Sequence, residues 1–155
     1  MNPSIVACMD RVVPNEMIKI VDIGASDSGS HPYKTLVDRF EAEVIGFEPN
    51  EAECQKLNET YKGTHRFFPY FVADGNPATF YETNWVATGS LFEPNTDLLQ
   101  QFVALDEMTR LVARHPVETR RLDDVLGEDV YQIDLIKIDA QGAEELVFQN
   151  APKTL

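Results

Sequence analysis

Short apolar runs alternate along this chain with stretches whose apolar positions recur every three or four residues. The first run, Ile18, Lys19, Ile20, Val21, Asp22 and Ile23, is β-branched and closes on Gly24 and Ala25. The second, Val44, Ile45, Gly46 and Phe47, closes on Glu48 and Pro49. A third covers 67–72 and closes on Asp74 and Gly75. A fourth covers 133–138 and closes on Asp139. Runs this continuous suit parallel strands buried on both faces between helix layers.

The intervening stretches read as helices. Ser30 can cap one, with Pro32 in its first turn and Tyr33, Leu36, Val37 and Phe40 on one apolar face. Asn50 with Glu53 three residues on resembles a capping box; Cys54, Leu57 and Tyr61 follow on one face, which predicts a helix over 50–62. Both stripes read as core packing. Residues 78–83 suggest an additional short strand, 84–94 a loop near a crevice mouth, and Leu98, Leu99, Phe102 and Val103 a short helix. Residues 106–115 carry no readable pattern. Residues 117–125 read as a short strand running into a helix start, and Leu146, Val147 and Phe148 as part of a helix after Gly142. A short helix over 3–13 can pack on the sheet. The sum is one α/β domain, with a mostly parallel sheet and flanking helices over 18–155 and a separate N-terminal segment over 1–17 that carries this helix.

In open α/β sheets a ligand sits outside the carboxyl ends of the strands. A glycine turn after the first strand lets backbone approach it, and Glu48 after the second can accept both hydroxyls of a ribose. The turn lacks the Lys and Ser or Thr that a P-loop needs, since Ser30 and His31 follow Gly29. It lacks the second glycine of a dinucleotide fingerprint, whose place Ser26 takes. Asp22 and Asp27 beside a pyrophosphate would repel it. S-adenosylmethionine carries a ribose, an ammonium and a sulfonium but no phosphate, and suits an acidic strand end better than NAD does. An NAD-linked oxidoreductase is therefore disfavoured. The Gly24 turn also reads as a plain strand-to-helix turn, and Asp74-Gly75 as an ordinary turn. Asp139 reads equally as a catalytic base or orienting group and as a helix N-cap; His115 and His31 are weaker candidates for the base.

Several pieces occur together and in order: "VDIGAS" from Val21, "VIGFEPN" from Val44, "VADG" from Val72, "SLFEP" from Ser90, "VETRRLDDV" from Val117 and "IDLIKIDAQGAE" from Ile133. With them the chain resembles the FkbM family of S-adenosylmethionine-dependent methyltransferases over nearly its whole length. The resemblance implies a Rossmann-like methyltransferase fold and methyl transfer to a hydroxyl of a sugar or natural product. It implies a cofactor-binding set of Asp22, Gly24, Ala25, Glu48, Asp74 and Gly75. Gly24 would lie on the methionine portion, Glu48 on the ribose and Asp74 near the adenine, with Asp139 the catalytic candidate beside the transferred methyl. The family's chain runs on into further strands, so the resemblance leaves C-terminal strands missing and the 133–138 strand at an edge. The expectation is a fragment, or self-association through that edge. A cofactor-binding module or inactive remnant acting through a partner is the alternative.

Composition narrows the partners. With 155 residues and 43% hydrophobic content the chain can bury a core. A net charge of −13 argues against nucleic acid and against anionic membrane surfaces. Cys8 and Cys54 lack metal or redox spacing and read as reduced thiols of a cytoplasmic protein. His31, His65 and His115 lack ligand spacing, so no metal is expected.

Overall fold

The computed structural model describes residues 17–26, 31–128 and 133–155. The expected helix over 3–13, Cys8 and the Ser30 cap lie outside the described residues. In chain order the elements are β1 (Ile18–Ile23), α1 (Lys34–Arg39), β2 (Ala42–Phe47), α2 (Glu51–Thr60), β3 (Arg66–Phe68), β4 (Phe71–Val72) and β5 (Pro77–Thr83). There follow a 3-10 turn (Val86–Thr88), α3 (Thr96–Leu99), α4 (Leu105–Met108), β6 (Leu111–Arg120), α5 (Leu122–Leu126), β7 (Leu135–Ile138) and α6 (Glu144–Gln149).

The apolar runs at 18–23 and 44–47 form the centre of a four-stranded parallel sheet, ordered β3-β2-β1-β7. Ile18 through Ile23 lie opposite Ala42 through Phe47, and Ile20 through Ile23 opposite Leu135 through Ile138. Side chains alternate across a strand, so each run feeds two cores. One holds Ile18, Ile20 and Val44 against Leu36 of α1 and Cys54 and Leu57 of α2. The other holds Val21, Ile23 and Phe47 against Leu122 and Leu126 of α5 and Val147 of α6. β7 is the outer strand, as expected, and Leu135 on it is partly exposed.

The third run is not one strand. It breaks at Pro69, which has no N–H to give a ladder. β3 stays in the main sheet; β4 pairs in parallel with β6, which pairs in antiparallel with β5. This small β4-β6-β5 sheet is reached because β6 starts at Leu111, well before the expected 117. Most of β6 is exposed or half-exposed, so its first half shows no apolar alternation to read. The short helix also ends sooner than expected. α3 is capped by Asn95, whose side chain accepts from Leu98 N, and Phe102 and Val103 stand exposed beyond it. Ala104, at φ 67, then turns the chain into α4 within the stretch that had no pattern.

α2 begins as expected at Asn50, whose side chain accepts from Ala52 N and Glu53 N. The reciprocal bond comes from elsewhere: Asn50 N donates to Glu48 Oε1 at 2.7 Å, while Glu53 lies 3.6 Å from Lys56 Nζ. At the other end of the domain, buried Asp123 in α5 accepts from Lys153 N, Thr154 N and Thr154 Oγ1. That carboxylate ties the turn after α6 to the second core. Among the described residues no helix is long and apolar enough to cross a membrane.

Candidate functional site

A crevice of about 810 Å³ opens at the carboxyl ends of β1, β2 and β7. Gly24, Glu48 and Asp139 line it from those three strand ends. The opposite wall belongs to the small sheet and the 84–91 loop, with Phe80, Glu82, Trp85 and His115 among its side chains. Such a volume holds a cofactor-sized ligand with an acceptor beside it.

The floor is built on a charge. Asp22 is wholly buried and takes a 2.6 Å hydrogen bond from Tyr33 Oη. Lys137 Nζ lies 2.9 Å from its other oxygen, while the lysine's aligned hydrogen bond, 2.7 Å, goes to the carbonyl of Gly24. Asp22 Oδ1 is thus met by a charge rather than by an aligned donor. Burial first, and then the Asp22 charge, push the Tyr33 phenol far above its ordinary pKa, so it stays a donor. Asp22 does not line the crevice; it anchors the turn from beneath. Ala25 is likewise buried, and its N–H, with that of Gly24, donates to Phe47 O.

Gly24 has a steric reason to be glycine. Its φ is +76, and a Cβ there would lie 2.2 Å from the carbonyl oxygen of Asp139. Asp139 N in turn donates to Ile23 O at 2.9 Å. The turn after β1 and the turn after β7 are therefore pressed together at the crevice floor.

Glu48 is half-buried at the end of β2. One oxygen is held by Asn50 N; its Oε2 has no hydrogen bond among the described residues. Burial pushes its carboxyl above the ordinary value, against the pull of the Asn50 N–H. The residue caps α2 and faces the crevice at once.

Asp139 is no helix cap. α6 starts five residues later, and Glu144 closes the intervening loop, accepting from Ala140 N at 2.9 Å and Gly142 N at 2.8 Å. The Asp139 carboxylate is about half exposed, accepts from Gln141 Nε2 at 2.6 Å and lies 4.0 Å from Lys137 Nζ. Ser90 Oγ donates to Gln141 O at 2.7 Å, stitching the 84–91 loop to this corner. Asp74 and Gly75 are not brought to the crevice lining. Asp74 accepts from the side chain and the N–H of Asn76, which hold its carboxyl below the ordinary value, and Gly75 N donates to Thr119 Oγ1.

Two residues of the site had no signal in the apolar pattern. Glu82 and His115 face one another only through the β5–β6 register, with His115 Nε2 2.7 Å from Glu82 Oε2. His31 stacks on Tyr33 at 5.2 Å between ring centres and lies 4.0 Å from Asp22, away from the crevice. Among the described residues no group of three His, Cys, Asp or Glu side chains could hold a metal ion.

The sequence model of the methyltransferase FkbM domain matches residues 22–155, from the buried acid of β1 through the turn after α6. The chain belongs to the FkbM methyltransferase domain family. It is 33% identical over 148 residues to 2-O-methyltransferase NoeI of Sinorhizobium fredii, with 88% of this chain and 58% of that relative covered. The chain thus spans a little over half the length of that relative. No solved structure gives a significant match. The α/β fold with its mostly parallel sheet is that of a methyltransferase-like FkbM domain.

Proposed function

We propose that this FkbM domain binds S-adenosylmethionine in the crevice and transfers its methyl group to a hydroxyl of a small acceptor, such as a sugar. The observation that carries the proposal is Glu48. A half-buried carboxylate with one oxygen fixed by Asn50 N–H and the other without a hydrogen bond among the described residues, beside a glycine turn, suits a ribose with two hydroxyls to donate. The 2-O-methyltransferase relative supports oxygen as the acceptor atom.

The residues present fit that cofactor. Glu48 would hold the ribose and the Gly24 backbone the methionine portion. The adenine would fall to the apolar wall of Tyr70, Phe71 and Val72, because Asp74 and Gly75 stand outside the lining. Asp22 and Ala25 would act from below, by fixing the turn. When bound, the cofactor supplies an electrophilic methyl on sulfur. The chain must then align an acceptor oxygen with it and receive a proton. Asp139, half exposed at the end of β7, would position the acceptor.

The test is calorimetry with S-adenosylhomocysteine, NAD and ATP on the full chain. Binding of the first and none of the others is expected. NAD binding with no response to S-adenosylhomocysteine would sink the proposal.

A further inference from the structure

We propose that His115 is the base that takes the acceptor's proton and that Glu82 holds its ring for that task; this deepens the methyl-transfer reading and rests on it. In the antiparallel β5–β6 pair His115 lies opposite Phe80, and Glu82 lies two residues further along the same face. Phe80, Glu82, His115 and Val117 all line the crevice that Gly24, Glu48 and Asp139 line from the other side. The pair is therefore aimed at the same space as the cofactor candidates, across it from them.

The hydrogen bond fixes which nitrogen can act. An ionised carboxylate can only accept, so the 2.7 Å bond places the proton of a neutral ring on Nε2 and leaves the lone pair on Nδ1. Among the described residues, the remaining charged side chains lining the crevice are Glu48 and Asp139, both acidic. Arg114, next to His115 in sequence, lies on the other face, over the Tyr81 ring and paired with Glu93. Among the described lining residues, an imidazolium formed at His115 would thus meet carboxylates as its charged neighbours. Asp139 is the poorer base: a carboxylate is intrinsically weaker than imidazole, and this one is already engaged by Gln141 and faces Lys137.

The step balances. The bond from acceptor oxygen to methyl carbon forms as the carbon–sulfur bond breaks, with its electron pair leaving on sulfur. The hydroxyl proton passes to Nδ1 of His115, and the Glu82 carboxylate stabilises the resulting imidazolium.

Both side chains are about half exposed, so replacing either should leave the fold intact. The experiment compares the full chain with His115→Ala, Glu82→Gln and Asp139→Asn. Calorimetry with S-adenosylhomocysteine should give the same affinity for wild type and His115→Ala; no binding to the wild type overturns the methyl-transfer reading and this proposal with it. Nitrogen NMR of histidine-labelled protein, which needs no acceptor, should find His115 protonated on Nε2, with that preference lost in Glu82→Gln. A proton on Nδ1 in the neutral wild type overturns the role of His115 alone. The third arm follows labelled methyl transfer to methyl glycosides bearing a free 2-hydroxyl. There His115→Ala should lower kcat about 100-fold or more with the cofactor KM unchanged, and added imidazole should restore part of it. Undiminished kcat in His115→Ala, with kcat lost in Asp139→Asn, assigns the proton to Asp139 and refutes the proposal.

Discussion

Asp22 and Lys137 lie at the same level on adjacent strands and form a 2.9 Å ion pair directly beneath the Gly24 turn. Asp22 is wholly buried and Lys137 only slightly exposed, so the pair is shielded from solvent. Removing one partner of such a pair strands a charge, which costs about 3–5 kcal/mol. Lys137→Met should therefore be strongly destabilised in guanidinium unfolding. Asp22→Asn combined with Lys137→Met removes both charges and keeps an acceptor for Tyr33, so it should lose less than Lys137→Met alone. Additive losses in the double variant would mean that the pair is not energetically coupled.

Gly24 carries a second load on the same spot. A methyl at its Cα would meet the Asp139 carbonyl oxygen at 2.2 Å, in a backbone conformation that side chains resist. Strain and overpacking together should cost Gly24→Ala about 2–5 kcal/mol. The change should also move the Asp139 amide, which NMR of the labelled backbone can follow. A Gly24→Ala protein with wild-type melting and an unmoved Asp139 amide would show that the two turns are not in contact.

The main sheet was legible because β1 and β2 are buried on both faces and advertise it as apolar runs. The acids at their ends, Asp22 and Glu48, were legible for the same reason. What they do was harder to see. The sequence places Asp22 among the cofactor-binding residues; in the structure it is buried beneath the Gly24 turn, because Lys137 and Tyr33 reach it only after β1, β7 and α1 have packed together. The N-cap reading of Asp139 failed because Glu144, four residues before Phe148, closes that loop instead. The third run hid a change of sheet at Pro69. The antiparallel β5–β6 pair was half-hidden because its exposed faces need no apolar alternation and its strands lie far apart in sequence, and so the Glu82–His115 pair had no local signature.

Asp123 offers a test of how the second core is closed. Its buried carboxylate accepts from Lys153 N, Thr154 N and Thr154 Oγ1, the last at 2.7 Å. Asp123→Ala leaves those donors without their acceptor. With hydrogen bonds to a charged group typically contributing about 1.5–3 kcal/mol, and part of that recovered by water at this partly buried turn, a loss of about 2–4 kcal/mol is expected. Thermal unfolding should show it, and hydrogen exchange should show the 151–154 turn opening first. Unchanged protection in that turn would place its anchorage elsewhere.

Glu48 has two duties that one substitution separates. Burial raises its folded-state pKa above the unfolded value. The folded chain therefore holds that proton more tightly than the unfolded chain does. The associated stability is complete below the unfolded pKa and is lost as the pH rises through the folded one. At neutral pH the ionised, partly desolvated carboxylate weighs against the ligand-free fold. Glu48→Gln removes the charge but keeps an oxygen for Asn50 N–H. The ligand-free variant should melt at or above wild type near neutral pH, with the difference closing as the pH falls below the ordinary carboxylate range. The same variant should bind S-adenosylhomocysteine about 10- to 150-fold more weakly, the equivalent of about 1.5–3 kcal/mol for a lost charge-assisted hydrogen bond. Greater or equal stability with weaker binding is the signature of a carboxylate kept for a ligand. Full affinity in Glu48→Gln would reduce Glu48 to the cap of α2 and remove the main support for a ribose at this strand end.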